Sequence, residues 1–524
     1  MIGGTDMHRK IFAAVALALM VFALPSFGQE KKELALTLDD AIARALRNNL
    51  NVAVEVVGPE LAGASLSQAR QFYVPTLQAD FTANRYEQPS TWSLQNTGNF
   101  IQKSTNSGFA VSQQIPFGGS FSASLGYDWA RTNQLFQNYN PSFTSSLSFR
   151  LTQPLLRNFG WTVSRSQILV AQNTLDVSRS QFKTTLINTV YSVEQAYWNL
   201  VYANENLKAL QQSLDLGRDL LTKTKKEVEV GQKAPIEVLN AETTVASREA
   251  GILQAEAQVR RSRDQLRILL NLDADPEAKG LAIVPTDQPV FKPYQITYEE
   301  ALQRALAHRP ELESARTNID TKRISFTVAR NKLLPQFDLQ VTKTSPGVSG
   351  DKLIYPDDNP FLEPIGVQPG SSSQAFRDAF KFLYNNWTVG VTLTLPLGDM
   401  VGRANYNYAK LDLAQTQARL KNEEQQISLE VSDAVLTLET AAKSVEAYRI
   451  ARELAERQLE AEMKKLNVGL STNYFVLQYQ NELTAARSSE LRALVDYNLA
   501  MARISQVTGT TLDTRNIALT DFIK

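Results

Sequence analysis

The sequence predicts a mainly α-helical protein in which very long helices are joined to a few membrane-spanning β-strands, the whole plan being laid out twice along the chain. Three observations carry this reading. Motifs recur in the same order in both halves, short segments alternate apolar and polar residues, and two exceptionally long stretches contain no proline.

The chain opens with a basic start at His8, Arg9 and Lys10, an apolar run from Ile11 to Leu24, and the small residue Gly28 after Pro25 and Ser26. That pattern is a secretory signal peptide spanning residues 1–28, cut near Gly28, with Met7 a second candidate start. The run is too short to anchor the chain, because a membrane helix needs about 20 apolar residues. No later stretch is apolar long enough either, so an exported chain of this kind is soluble or a β-barrel.

Composition removes several function classes. Over 524 residues the 54 basic and 54 acidic side chains balance to a net charge of +0, which gives nucleic acid no basic surface to bind. Cysteine is absent, and His8 and His308 are the two histidines. Disulfides, thiolate metal sites, thiol nucleophiles and histidine-based triads are excluded or nearly so. Neither a cofactor nor a metal site is expected.

The duplication is direct. TLDDAIARALRNNL (37–50) matches TYEEALQRALAHRP (297–310), and QARQFYVPTLQADF (68–81) matches TVARNKLLPQFDLQ (327–340). FRLTQPLLRNFG (149–160) resembles TLTLPLGDMVG (392–402), and KKEVEVGQKAPIEVLNAET (225–243) matches MKKLNVGLSTNYFVLQYQN (463–481). A whole unit has been repeated. The first repeat occupies 29–272, a Pro- and Asp-rich linker 273–296, and the second repeat 297–524. Each begins with two short helices, the second ended by Pro75 or Pro335.

Strands follow at about 76–86 and 143–154 in the first repeat, and at about 336–344 and 387–396 in the second. In each, apolar side chains (Leu77, Ala79, Phe81; Leu147, Phe149, Leu151; Phe337, Leu339, Val341; Val389, Val391, Leu393) alternate with polar or small ones. The first repeat carries an extra hairpin at about 107–130, folded on the PFGG turn (116–119), where Gly118 and Gly119 can take positive φ. The likeness of QQIPFGG to QPLLRNFG puts that turn on the same side of a membrane as the strand–helix junction. The hairpin either widens the wall or projects from it. Tyr127, Trp129, Tyr384 and Trp387 stand near strand ends, where a barrel keeps its aromatic girdles.

The long helices are expected at about 161–230 and 402–468, each rising roughly 100 Å. Leu186, Val193, Leu200, Leu207, Leu214, Leu221 and Val228 fall at intervals of seven, and Val431, Leu438, Val445, Leu459 and Leu466 keep the same step with Arg452 interrupting. A strict seven-residue repeat imposes left-handed supercoiling. Gly231 and Gly469 close these helices, and returning helices run at about 235–271 and 473–507. The turns are thus expected some 100 Å from the strands.

The two halves, the strand-to-long-helix layout and the VG turns together resemble the TolC-like outer-membrane efflux protein family over essentially the whole mature chain. The resemblance implies a homotrimer in the outer membrane with a long periplasmic portion. Each protomer would give four strands to one shared β-barrel and its helices to an α-helical tunnel. A mixed α/β region around the middle would comprise about 38–60, 273–310 and the C-terminus. It further implies an exit duct of a tripartite efflux or type I secretion system, working with a periplasmic adaptor protein and an inner-membrane pump. Val230, Gly231, Gln232 and Val468, Gly469, Leu470 match the turns that meet the adaptor. Glu237, Asn240, Leu466, Ser471, Phe475 and Gln478 fall on the family's entrance gate. The family's second-half aspartates are replaced here by Phe475 and Gln478, and its gate tyrosine and arginine by Leu466 and Ser471. An apolar constriction at Phe475 and Leu466 is therefore expected in place of a salt-bridged lock, against the plainer expectation that Phe475 packs between helices.

Rival functions fare less well. Carboxylate pairs such as Glu423/Glu424 sit on charged helical faces, and no phosphate loop, nucleophile elbow or metal signature points to an enzyme. An exported coiled-coil structural or binding protein without channel activity is the alternative, but it leaves the recurring strands without purpose. A general porin would be nearly all strand.

Overall fold

The computed structural model describes residues 33–90, 98–276 and 279–522; the signal-peptide segment 1–28 lies outside them. In chain order the elements are β1 (Glu33–Leu36), α1 (Leu38–Asn48), α2 (Leu50–Glu55), α3 (Val57–Gln71), β2 (Thr76–Pro89), β3 (Asn99–Gln114), β4 (Ser120–Thr132), β5 (Tyr139–Pro154), α4 (Trp161–Ser164), α5 (Ser166–Glu229), α6 (Ile236–Leu269), β6 (Ala282–Pro285), α7 (Tyr298–His308), α8 (Pro310–Lys332), β7 (Gln336–Ile354), β8 (Gly366–Gln368), α9 (Ser372–Phe380), β9 (Asn386–Thr394), α10 (Met400–Asn467), α11 (Asn473–Val507) and α12 (Thr511–Thr514). Helices α5 and α10, of 64 and 68 residues, correspond to rises of about 96 and 102 Å. Among the described residues, no helix is long and apolar enough to cross a membrane.

The chain forms two compact units. The first combines the described residues up to Ala53 with Leu186–Ala301 and Val431–Arg515. Its helices bury the seven-step positions unevenly. Leu186, Val193, Leu200 and Leu214 are buried, as are Val431, Leu438 and Val445, whereas Leu207, Leu221, Val228, Leu459 and Leu466 are half-buried. The core thins toward the turns. Arg452 breaks the second register and binds Glu490 at 2.6 Å and Glu456 at 2.9 Å. Strands β1 and β6 pair in parallel. Tyr197, fully buried, reaches the Leu36 carbonyl at 3.0 Å and the Asp287 carboxylate at 2.9 Å, and burial pushes its phenol up to about 12. Asp287 also accepts from the Leu38 amide at 2.7 Å, so one tyrosine and one aspartate fasten β1 and the start of α1.

The second unit holds Val54–Thr185, Leu302–Glu430 and the described residues from Asn516 onward. It contains one antiparallel sheet in the order β2-β3-β4-β5-β7-β8, with β9 also paired to β7. The hairpin β3–β4 thus lies within the sheet, between β2 and β5. The sheet has six long strands, where the family resemblance implies four. The strands also outrun the alternating segments: β2 continues to Pro89, β3 starts at Asn99 and β7 continues to Ile354. Three short helices, α1 to α3, precede β2 where two are expected.

The PFGG turn lies beside the β5–α4 junction. Phe117 accepts from the Gly160 amide at 3.4 Å, and its ring lies 5.5 Å from Trp161. Gly118 has φ +95°, whereas Gly119 does not take positive φ. Gly119 is instead needed for space, because a Cβ there would sit 2.9 Å from the Thr152 carbonyl oxygen.

Helix α9 was not foreseen. It packs over β5 and β7, where Ser145 and Ser345 donate to the carbonyls of Ala375 and Ala379 at 2.6 and 2.7 Å. A Cβ on Gly347 would strike the Ala375 oxygen. Tyr127 stacks on Phe376 with ring centroids 5.2 Å apart.

Candidate functional site

Two features carry functional character, and each is built from local rules. The first is the pair of helix turns. At the end of α5, Gly231 takes φ +75°, its amide donates to the Val228 carbonyl at 3.0 Å, and the Gln232 amide donates to the Glu227 carbonyl at 2.8 Å. At the end of α10, Gly469 takes φ +78°, with Gly469 to Leu466 at 3.1 Å and Leu470 to Lys465 at 2.9 Å. Both are Schellman closures, which need a left-handed residue and so favour glycine. Val230, Val468 and Leu470, each more than 65% exposed, project from these turns.

The gate candidates separate into different settings. Glu237 and Asn240 on α6 are half-buried, and Oε2 of Glu237 is shielded from solvent and makes no hydrogen bond among the described residues. Leu466 is half-buried. Ser471 donates to Glu462 at 2.5 Å, and this hydroxyl together with Lys465 at 3.0 Å holds the Glu462 carboxyl below its usual range. Gln478 is exposed and donates to Glu482 at 3.0 Å. Phe475 is 45% exposed, its ring edge-on to Tyr474 at 5.6 Å, while Val476 and Leu477 beside it are buried. Phe475 is thus far more open to solvent than the two apolar residues that follow it.

Sequence reasoning missed two polar ties between the hairpins. Asn473, the first residue of α11, donates to Thr224 of α5 at 2.7 Å with both side chains buried. Arg248 of α6 is 8% exposed and reaches the Ser213 carbonyl on α5 and the amide oxygen of Asn481 on α11 at 2.8 Å.

The second feature is the sheet face. The pairing registers place Leu77, Val111, Ala123 and Phe149 in one row across β2 to β5. Ala79, Phe109, Leu125 and Leu147 form the next row. Val341 pairs with Leu151 and Val389, and Phe337 with Leu393. All stand on one face, and the opposite face carries Gln78, Ser112, Ser122, Arg150, Thr342 and Thr388. The apolar face is bare: Leu77, Phe81, Phe109, Trp387, Val389, Val391 and Leu393 are all more than half exposed. A soluble protein rarely leaves so large an apolar patch in water. Where α9 lies, the same face changes to Ser145, Ser345, Gly347 and Ser349, small residues that the helix covers.

Comparison with known proteins agrees with these features. Residues 120–272 and 301–510, more than half of the chain, match the family model described as outer membrane efflux protein. The pyoverdine export outer membrane protein OpmQ of Pseudomonas putida is 23% identical over 71% of this chain and 75% of its own length. The outer membrane protein TolC of Vibrio cholerae is 22% identical over 70% of this chain and 76% of its own. Among solved structures, the CmeC outer membrane channel of Campylobacter jejuni superposes with a TM-score of 0.62 at 16% identity, covering 90% of this chain and 86% of that one. The helical hairpins, the duplicated plan and the bare apolar sheet thus have a common explanation: this chain belongs to the outer membrane efflux protein family.

Proposed function

We propose that three copies of the chain close into one outer-membrane barrel that serves as the exit duct of an efflux or secretion assembly. In this reading the helical hairpins stand in the periplasm, their turns receive an adaptor protein, and cargo arrives from an inner-membrane pump. The observation that carries it is the sheet: one face is apolar and exposed, and β2 and β9 each pair on one side among the described residues. Unpaired backbone groups are not tolerated at membrane depth. A second copy supplies the remedy, because β2 of one chain can pair antiparallel with β9 of the next until the ring closes.

The wall so formed has eighteen strands, six from each chain. With strands about 4.8 Å apart and tilted about 40°, its backbone diameter is about 36 Å, against about 24 Å for twelve strands. Cryo-electron microscopy in lipid nanodiscs is the direct test. A closed trimer with eighteen strands is expected, and a soluble monomer or rod would return the chain to the coiled-coil alternative. For the entrance, Phe475→Ala is expected to raise single-channel conductance in planar bilayers by removing an apolar constriction. Unchanged conductance would assign Phe475 no part in the gate.

A further inference from the structure

The apolar face ends in a row of like charges. Arg85 of β2 pairs directly with Lys103 of β3, and Lys103 with Arg131 of β4. The row immediately nearer the helix-bearing ends of the strands is Ala83, Thr105, Trp129 and Phe143. The alternation puts both rows on the apolar face, about 7 Å apart along the strands. All three basic side chains are exposed. Glu87 binds Arg85 at 3.0 Å and accepts from Asn99 at 3.2 Å, so it offsets one charge. Lys103 and Arg131 have no ion-pair partner among the described residues. Like charges directly opposite one another destabilise a sheet, and on a face that elsewhere repels water they need an anion to offset that penalty.

Their position says which anion. The strand ends that join the helices face the periplasm in the reading proposed above, on which this inference rests. The basic row then lies at the outer end, one step beyond Trp129 and Phe143, the aromatic level that marks a membrane interface. We propose that Arg85, Lys103 and Arg131 form a binding row for the phosphate groups of the glycolipid that makes up the outer leaflet. Arginine suits the task because its planar donors match phosphate oxygens in pairs. The row fixes the depth of the barrel in the membrane, with aromatic rings in the acyl boundary and guanidinium groups among the phosphates.

The test is a titration of the detergent-solubilised trimer with bisphosphorylated lipid A, followed by native mass spectrometry. Arg85→Gln/Lys103→Gln/Arg131→Gln is expected to weaken binding roughly 150-fold, the effect of removing three basic charges near a charged lipid surface. Dephosphorylated lipid A should bind the unsubstituted protein as weakly as the variant binds lipid A, a comparison that needs no altered chain. Equal binding of the two lipids, or inorganic phosphate competing at equal phosphate concentration, would overturn the proposal. Ion selectivity, read as a reversal potential across a bilayer, should not change in the variant. A shift in selectivity without a change in lipid binding would show that this face lines the lumen and would overturn the inference while leaving the channel intact. A chain that forms no conducting trimer would instead overturn the reading on which the inference rests.

Discussion

Removing Asn99–Asn138 should convert the proposed eighteen-stranded barrel into a twelve-stranded one. The excision takes out β3, β4 and the following loop, leaving β2 joined to β5. Because two antiparallel strands leave together, chain direction is preserved. The faces also agree. Phe81 pairs with Ser107, Ser107 with Tyr127 and Tyr127 with Ser145, so Phe81 and Ser145 stand in one row on one face and can pair directly. A one-residue slip would have turned every apolar side chain inward; no slip is needed. The backbone diameter should fall from about 36 to about 24 Å. The readout is exclusion of neutral polymers added from the outer side, which samples the barrel mouth and not the periplasmic entrance. Polymers that enter the full-length channel and lower its conductance should be excluded from the shortened one. Identical exclusion limits would mean that the hairpin does not set the width of the exit.

How far the sequence alone led can be judged on particular residues. Strand positions were legible wherever one face meets an apolar surround, as at Leu77–Phe81 and Val389–Leu393, because period-two alternation is the direct imprint of that asymmetry. It failed where the asymmetry is lost. Beyond Thr344, β7 presents Ser345, Gly347 and Ser349 to α9, so small residues replace apolar ones and the strand goes unrecognised to Ile354. Beyond Asn84, β2 runs through Arg85, Tyr86, Glu87 and Gln88, and the apolar–polar alternation is lost. The hairpin turns were legible because Gly231 and Gly469 meet a purely local demand for positive φ. Arg248 was not, since one arginine on a charged helix carries no mark of burial. Its signal lies in Gly217, on another helix, which leaves the room the guanidinium occupies: a Cβ there would stand 2.7 Å from Nη1.

Arg248 is where a single substitution should most disturb the helical hairpins. It lies on α6, and its guanidinium bonds the Ser213 carbonyl on α5; on α11 it reaches the Asn481 amide oxygen twice, at 2.8 and 3.2 Å, and that of Gln480 at 3.4 Å. None of these partners is a carboxylate. Burial pulls its pKa below the usual arginine value, yet guanidinium stays charged in a protein, so the ring of carbonyl dipoles must carry the whole charge. One cation therefore fastens the first hairpin to the second. Arg248→Met keeps much of the volume but strands several buried oxygens, and a loss of about 2–4 kcal/mol is expected. Arg248→Lys should recover little, because a single ammonium cannot span acceptors on two helices. Gly217→Val should act in the same direction by pushing the guanidinium out. Thermal unfolding followed by helix circular dichroism is the stability readout. A double-mutant cycle with Asn481→Ala should be strongly non-additive, since either change breaks the same contact. Because the tie joins the two hairpins, its loss should also raise the resting conductance of the channel. If Arg248→Met unfolds at the temperature of the unsubstituted protein, or adds fully to Asn481→Ala, the buried cation is a passenger and the hairpins are held by their apolar seams alone.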